Sequence, residues 1–127
     1  MLDGGMADAI PVKKALEEGW DKMVIVLTRD ASYRKKPRGN LYMTAIRLVY
    51  RKYPKFLKLI EERAQRYNDS LDKIAELEAQ GRAFVLRPST ITVGNSESNV
   101  DTLMKYYHHG YEMAEEKMKE LKEFLEA

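Results

Sequence analysis

Cysteine is missing from all 127 residues. That excludes a disulfide scaffold, a thiolate zinc site and a thiol nucleophile, and it suits a reducing, cytoplasmic setting. Long apolar runs are missing too: none approaches the roughly 20 residues that span a bilayer, which leaves a peripheral place at a membrane open. The opening Met1-Leu2-Asp3-Gly4-Gly5 has the charge and pattern of neither a secretory leader nor a transit helix. Charge of one sign is scarce as well. A third of the residues are charged but the net charge is only +2, so nothing in the bulk demands nucleic acid or an acidic substrate. What is present is an ordinary 44% apolar content on a chain of single-domain size, and residues 1–127 read as one domain.

Helix and strand signals alternate along the chain. Pro11 fits the first position of a short helix with Asp8 as its cap, Val12, Ala15 and Leu16 on one face, and Gly19 where it stops. Met23-Val24-Ile25-Val26-Leu27-Thr28 is a continuous, β-branched apolar run, the pattern of a strand buried on both faces. Trp20 is expected to pack over the start of the sheet. Residues 29–40 read as loop. A helix over 41–52 should turn Leu41, Ala45, Leu48 and Val49 inward. Pro54 opens the next helix, striped by Leu57, Ile60, Ala64, Tyr67, Leu71, Ile74 and Leu77 and ended by Gly81. Ala83-Phe84-Val85-Leu86 is a second strand, stopped by Pro88. Residues 89–98 form a loop. A last helix over 99–125 carries Val100, Leu103, Met104, Tyr107, Tyr111, Ala114, Met118, Leu121 and Leu125; Gly110 interrupts it at a cost of roughly 1 kcal/mol relative to Ala, but the stripe continues in phase, so one helix, straight or kinked there, is expected. Strands separated by helices imply parallel crossovers and an α/β layer fold. Two strands are few for such a sheet, and Asp3-Gly4-Gly5 reads as the turn leaving a third. The chain is therefore expected to be cut from something larger, completed by the rest of a parent protein or by a second copy.

An ordered set of short stretches then stands out. These are Leu2-Asp3-Gly4-Gly5, Asp8-Ala9-Ile10-Pro11-Val12, Val26-Leu27-Thr28-Arg29, Tyr33-Arg34-Lys35-Lys36-Pro37, Tyr50-Arg51-Lys52-Tyr53-Pro54, Arg66-Tyr67-Asn68, Leu86-Arg87-Pro88-Ser89, Tyr107 and Gly110-Tyr111. In that order they resemble the C-terminal half of bacterial patatin-like phospholipases. The resemblance implies the C-terminal part of a three-layer α/β/α domain of a lipid acyl hydrolase working through a Ser-Asp dyad. Only Asp3, Gly4 and Gly5 match a catalytic motif, Asp3 as the dyad carboxylate and the two glycines as its turn. The Gly-x-Ser-x-Gly elbow and the Gly-rich oxyanion loop have no counterpart, so the parent is expected to be an enzyme and this chain alone inactive. Near Gly94-Asn95-Ser96-Glu97 the sequence departs from its subgroup, lacking the expected basic residue before the glutamate.

The residues allow plainer readings beside these. Asp-Gly-Gly occurs in many surface turns; glycines there permit positive φ and close backbone approach. Arg29, following the first strand, either faces the active-site side, orienting a carboxylate or phosphate, or makes an ordinary salt bridge or cap. Arg29 to Lys58 holds Arg29, Arg34, Lys35, Lys36, Arg38, Arg47, Arg51, Lys52, Lys55 and Lys58 against Asp30 alone. This basic stretch either lies against the acidic later helices, faces an anionic lipid surface, or, with its tyrosines, stacks on nucleic acid, the least favoured of the three. His108 and His109 are adjacent, point about 100° apart on a helix and cannot chelate one metal; they read as surface residues. No cofactor and no metal are expected. The partners implied are an acyl-ester lipid, a membrane surface, the N-terminal half of the hydrolase and a possible homodimer.

Overall fold

The computed structural model describes residues 4–89, 93–94 and 96–127. Leu2 and Asp3, and with them the expected strand tip and its carboxylate, lie outside the described residues, as does Asn95. The fold is mixed α/β. A 3-10 turn at Gly4–Met6 is followed by α1 (Val12–Glu17), β1 (Met23–Val26), α2 (Asn40–Val49), α3 (Pro54–Glu61), α4 (Arg63–Ala79), β2 (Ala83–Leu86), α5 (Val100–Glu116) and α6 (Met118–Glu126). The chain divides into two compact units. The first holds the described residues up to Asp21 with Arg34–Leu77, and the second holds Lys22–Tyr33 with Glu78–Ala127.

In the first unit local chemistry sets the boundaries. Gly19 (φ 87°) ends α1 and Gly81 (φ 69°), in the second unit, follows the end of α4; both take the left-handed conformation that glycine adopts without a Cβ clash. Pro54 opens α3, where a missing N–H costs nothing. Pro11 is the residue before α1 rather than its first member, and no side chain caps that helix, so the expected Asp8 cap does not form. The long apolar stripe expected after Pro54 is present. Ile60, Ala64, Ile74 and Leu77 are buried, and Leu57, Tyr67 and Leu71 half-buried. It runs over two helices with Glu62 between them. The ladder still passes through that residue, whose N–H donates to Lys58 O at 3.0 Å while its carbonyl accepts from Arg66 N at 2.9 Å. The buried hydroxyl of Ser70 donates to Arg66 O at 3.0 Å, which removes the cost of burying it.

α2 departs from its expected orientation. Met43 is its buried residue and Ile46 is half-buried. Leu41, Leu48 and Val49, expected inside, are 87%, 72% and 69% exposed. Helical periodicity puts Leu41 and Leu48 on one pole and Met43 with Ile46 on the other, so the helix has two apolar faces and only the second finds a core. Trp20 is also exposed, not packed.

The second unit is built on the parallel pair β1–β2, in register from Met23↔Ala83 to Val26↔Leu86. Hydrogen bonds from Met23 N to Arg82 O (3.0 Å) and Leu27 N to Leu86 O (2.8 Å) extend it at both ends. The strands form where expected, but β1 is not covered on both faces: Val24 and Val26 are exposed, alternating with half-buried Met23 and Ile25. Phe124 of α6 meets Phe84 of β2 at 5.7 Å between ring centroids, and Lys22 donates to Phe124 O at 3.1 Å. Asn99 caps α5 by accepting from Thr102 N at 3.1 Å, a placement that suits asparagine. Gly110 lies within α5 without ending it; the helix instead gives way to α6 at Lys117. The half-buried line of α5 is Thr102, Tyr106, His109, Gly110 and Met113, with Ala114, rotated from the expected stripe. Val100, Leu103, Met104, Tyr107 and Tyr111 are all exposed.

Candidate functional site

Parallel strands in α/β folds place ligands beyond their carboxyl ends. At that end of β1–β2, within the second unit, lies an apolar cleft of about 530 Å³. Val26, Leu27 and Leu86 form its floor, and Leu103, Tyr107 and Met113 its α5 side. This size falls within the range of small-molecule sites, roughly 300–1,000 Å³. Two contacts fix the polar edge. The Tyr106 hydroxyl donates to Thr28 O at 2.9 Å, holding α5 to the segment leaving β1. His109 Nε2 accepts from the Ser89 backbone N–H at 3.3 Å, tying α5 to the segment that leaves β2. Pro88, buried, sits between β2 and that bond. A floor of branched aliphatics with a few polar groups at one rim suits an apolar ligand with a polar end.

Arg29 lies two residues past Leu27 but does not line this cleft. Its guanidinium stacks over the Tyr33 ring at 5.2 Å, a cation–π contact. Between them the chain folds into an Asx turn. Asp30 Oδ1 accepts from both the backbone N–H (2.9 Å) and the hydroxyl of Ser32, and the Ser32 hydroxyl bond, followed by the backbone one, holds the Asp30 carboxyl below its usual range.

Gly4 and Gly5, the motif glycines, belong to the first unit. They enter the Gly4–Met6 turn without positive φ, and a Cβ on Gly4 would meet nothing within 4 Å. The bend is held from outside. Arg63 Nε donates to Gly5 O at 3.3 Å. Arg66 donates to Met6 O at 3.4 Å, Ala7 O at 3.3 Å and Leu59 O at 2.6 Å, and pairs with Glu62 at 3.4 Å. A guanidinium is a rigid fork of five donors with a fixed charge, suited to gathering several carbonyls at once. Asn68, two residues on, accepts from Lys35 N at 2.8 Å and donates to Lys35 O at 3.1 Å. One stretch with no role assigned from sequence, Arg66-Tyr67-Asn68, thus holds two other parts of the chain: Arg66 anchors the residues after Gly4-Gly5, and Asn68 anchors the Tyr33–Pro37 strap at Lys35.

Sequence reasoning missed His109. Its signal was its position three residues after Tyr106 on a helix, which places both on one face. Among the described residues no cluster of histidine and carboxylate side chains could hold a metal ion. No helix among them is long and apolar enough to cross a membrane.

Residues 53–126, more than half the chain and covering α3 through α6, match the family model "Domain of unknown function (DUF6363)". The chain belongs to that family. No curated protein matches it, and no solved structure does.

Proposed function

We propose that this member of the DUF6363 family is the carboxylate-bearing, C-terminal part of a three-layer acyl-ester hydrolase of the patatin-like kind. In this reading Asp3 takes the proton from a serine hydroxyl supplied by polypeptide outside residues 1–127. The serine oxygen bonds to the ester carbonyl carbon, the alcohol leaves with a proton, and water then releases the acid from the acyl-enzyme. The reading is carried by the apolar cleft at the carboxyl ends of two parallel strands, whose lining suits an acyl chain better than a sugar or nucleotide. The ordered sequence resemblance supports it, as do the contacts of Arg63 and Arg66 to the bend after Asp3. Arg29, stacked on Tyr33, has a structural role in this reading.

Expressed alone, the chain should hydrolyse p-nitrophenyl butyrate no faster than buffer. The parent polypeptide should turn it over and be labelled by a fluorophosphonate on a serine outside residues 1–127. Asp3→Asn in that parent should lower kcat by about 10²–10⁴-fold. Turnover by the isolated chain, or a parent that takes no label, would overturn the reading.

A second reading, a non-catalytic interaction module that dimerises, is favoured by one observation. α5 buries no residue fully and leaves Val100, Met104, Tyr107 and Tyr111 exposed. A dimer mass in sedimentation, reduced to monomer by Tyr107→Ser with Tyr111→Ser, would favour it.

A further inference from the structure

The basic stretch and the outward face of α2 meet in one place, and the hydrolase reading uses neither. Residues 31–60 contain nine cationic side chains and no acid. The idea that this charge is absorbed by the acidic helices accounts for part of it. Arg34 pairs with Asp72 at 3.1 Å, Arg47 with Glu61 at 2.8 Å and Lys58 with Glu62 at 3.7 Å. Lys36, Arg38, Arg51, Lys52 and Lys55 are exposed and make no ion pair among the described residues. They bracket α2: Arg38 stands three residues before Leu41, and Arg51 and Lys52 three and four after Leu48. Between them the exposed pole of the helix carries Leu41, Ala45 and Leu48, with Val49 beside it. Tyr42 and Tyr53 are exposed at either end, Tyr42 under the Arg38 guanidinium at 5.2 Å. Adjoining Tyr42 is a hollow of about 100 Å³ where Lys35, Lys36, Arg38 and Arg63 meet apolar Met6, Pro37, Ile60 and Ala64, a mixed lining whose charge suits an anionic group.

We propose that α2 is a membrane-docking helix whose outward stripe of Leu41, Ala45, Leu48 and Val49 enters the headgroup boundary of an anionic bilayer, while Arg38, Arg51, Lys52 and Lys55 engage the lipid phosphates. Interfacial helices combine these parts: an apolar face that sinks a few ångströms, cations that attract acidic lipid, and tyrosines at the polar–apolar boundary. Charge complementarity singles out this occupant. A nucleic acid would use the cations and rings but gain nothing from Leu41 and Leu48, and an apolar protein partner would leave the acid-free cations uncompensated. A bilayer with acidic lipid engages both. This inference goes beyond the hydrolase reading and stands without it, since the chain alone suffices for the test.

Co-sedimentation with phosphatidylcholine vesicles containing about one third phosphatidylglycerol should show binding that added salt weakens, with little on pure phosphatidylcholine. Leu41→Ser with Leu48→Ser, which leaves the charge unchanged, should lower partitioning at least tenfold. Arg51→Gln with Lys52→Gln should lower it about tenfold or more. Both pairs are exposed, so circular dichroism and the melting midpoint should match the parent; if the serine pair unfolds, Leu41→Gln with Leu48→Gln replaces it. Failure to bind acidic vesicles, or equal binding by the serine pair, would refute the proposal. So would duplex DNA binding unaffected by the serine pair without vesicle binding, or self-association lost in that pair without vesicle binding.

Discussion

α4 and α5 are each seventeen residues long and each carries an apolar stripe at helical spacing. α4 buries Ala64, Ser70, Ile74 and Leu77, with Leu77 wholly inaccessible. α5 buries none and leaves Tyr107 62% exposed. Periodicity therefore establishes that a helix has an apolar face, but not that the face meets anything. In α4 the face is spent on the core. In α5 it is shared between residues that wall the cleft, from half-buried Tyr106 and Met113 to exposed Leu103, Tyr107 and Tyr111, and Val100 and Met104, which are exposed outside it. An exposed apolar patch on a helix of this length marks binding more often than folding.

Substitution at matched positions breaks the comparison most sharply. Ile74→Ala, at a site 1% accessible, should cost about 2–5 kcal/mol. Tyr107→Ser on α5 should stay within about 0.5 kcal/mol; denaturant melts of the two variants would check this, and equal losses would remove the distinction. A smaller effect sharpens the other half. With so little packing, α5 leans on its own start, so Asn99→Ala should cost about 1 kcal/mol and raise hydrogen exchange first in residues 100–104. The smallest effect is a control touching neither helix. Ser32→Ala removes the main bond that keeps the Asp30 carboxyl low, so its midpoint should move up toward the ordinary aspartate value in a carboxyl-carbon NMR titration. Because the folded-state pKa is the lowered one, the stabilisation is present above the unfolded value and fades as pH falls through the folded one. The parent and variant should thus differ slightly at neutral pH and converge in acid.

What could be read in advance follows the same line. Gly19, Gly81 and Pro54 act through their own φ angles or missing N–H, and each punctuates the chain where expected. The short apolar runs at 23–26 and 83–86 pair as parallel strands, since apolar runs too short to complete a helix have few other choices. The faces were harder. Leu41, Leu48 and Met43 are chemically alike, and only the surrounding fold decides which is inside. The breaks at Glu62 and Lys117 carry no glycine or proline, and the hydrogen-bond ladder runs on through both, so nothing local announces them. At the candidate site, Thr28 and Pro88 were foreseeable as strand ends. His109 was not, because its partner is a backbone N–H on a segment twenty residues away.

The carboxamide of Asn68 grips Lys35 by its main chain alone, one bond given and one taken. Neither bond uses the side chain of the gripped residue, which lies instead over the Tyr67 ring at 4.8 Å, so any residue that keeps its N–H can offer Asn68 the same two partners. Position 68 has no such freedom. A carboxylate there could only accept, and glutamine would reach too far. The strap's shape is thus encoded thirty-three residues away from the strap itself.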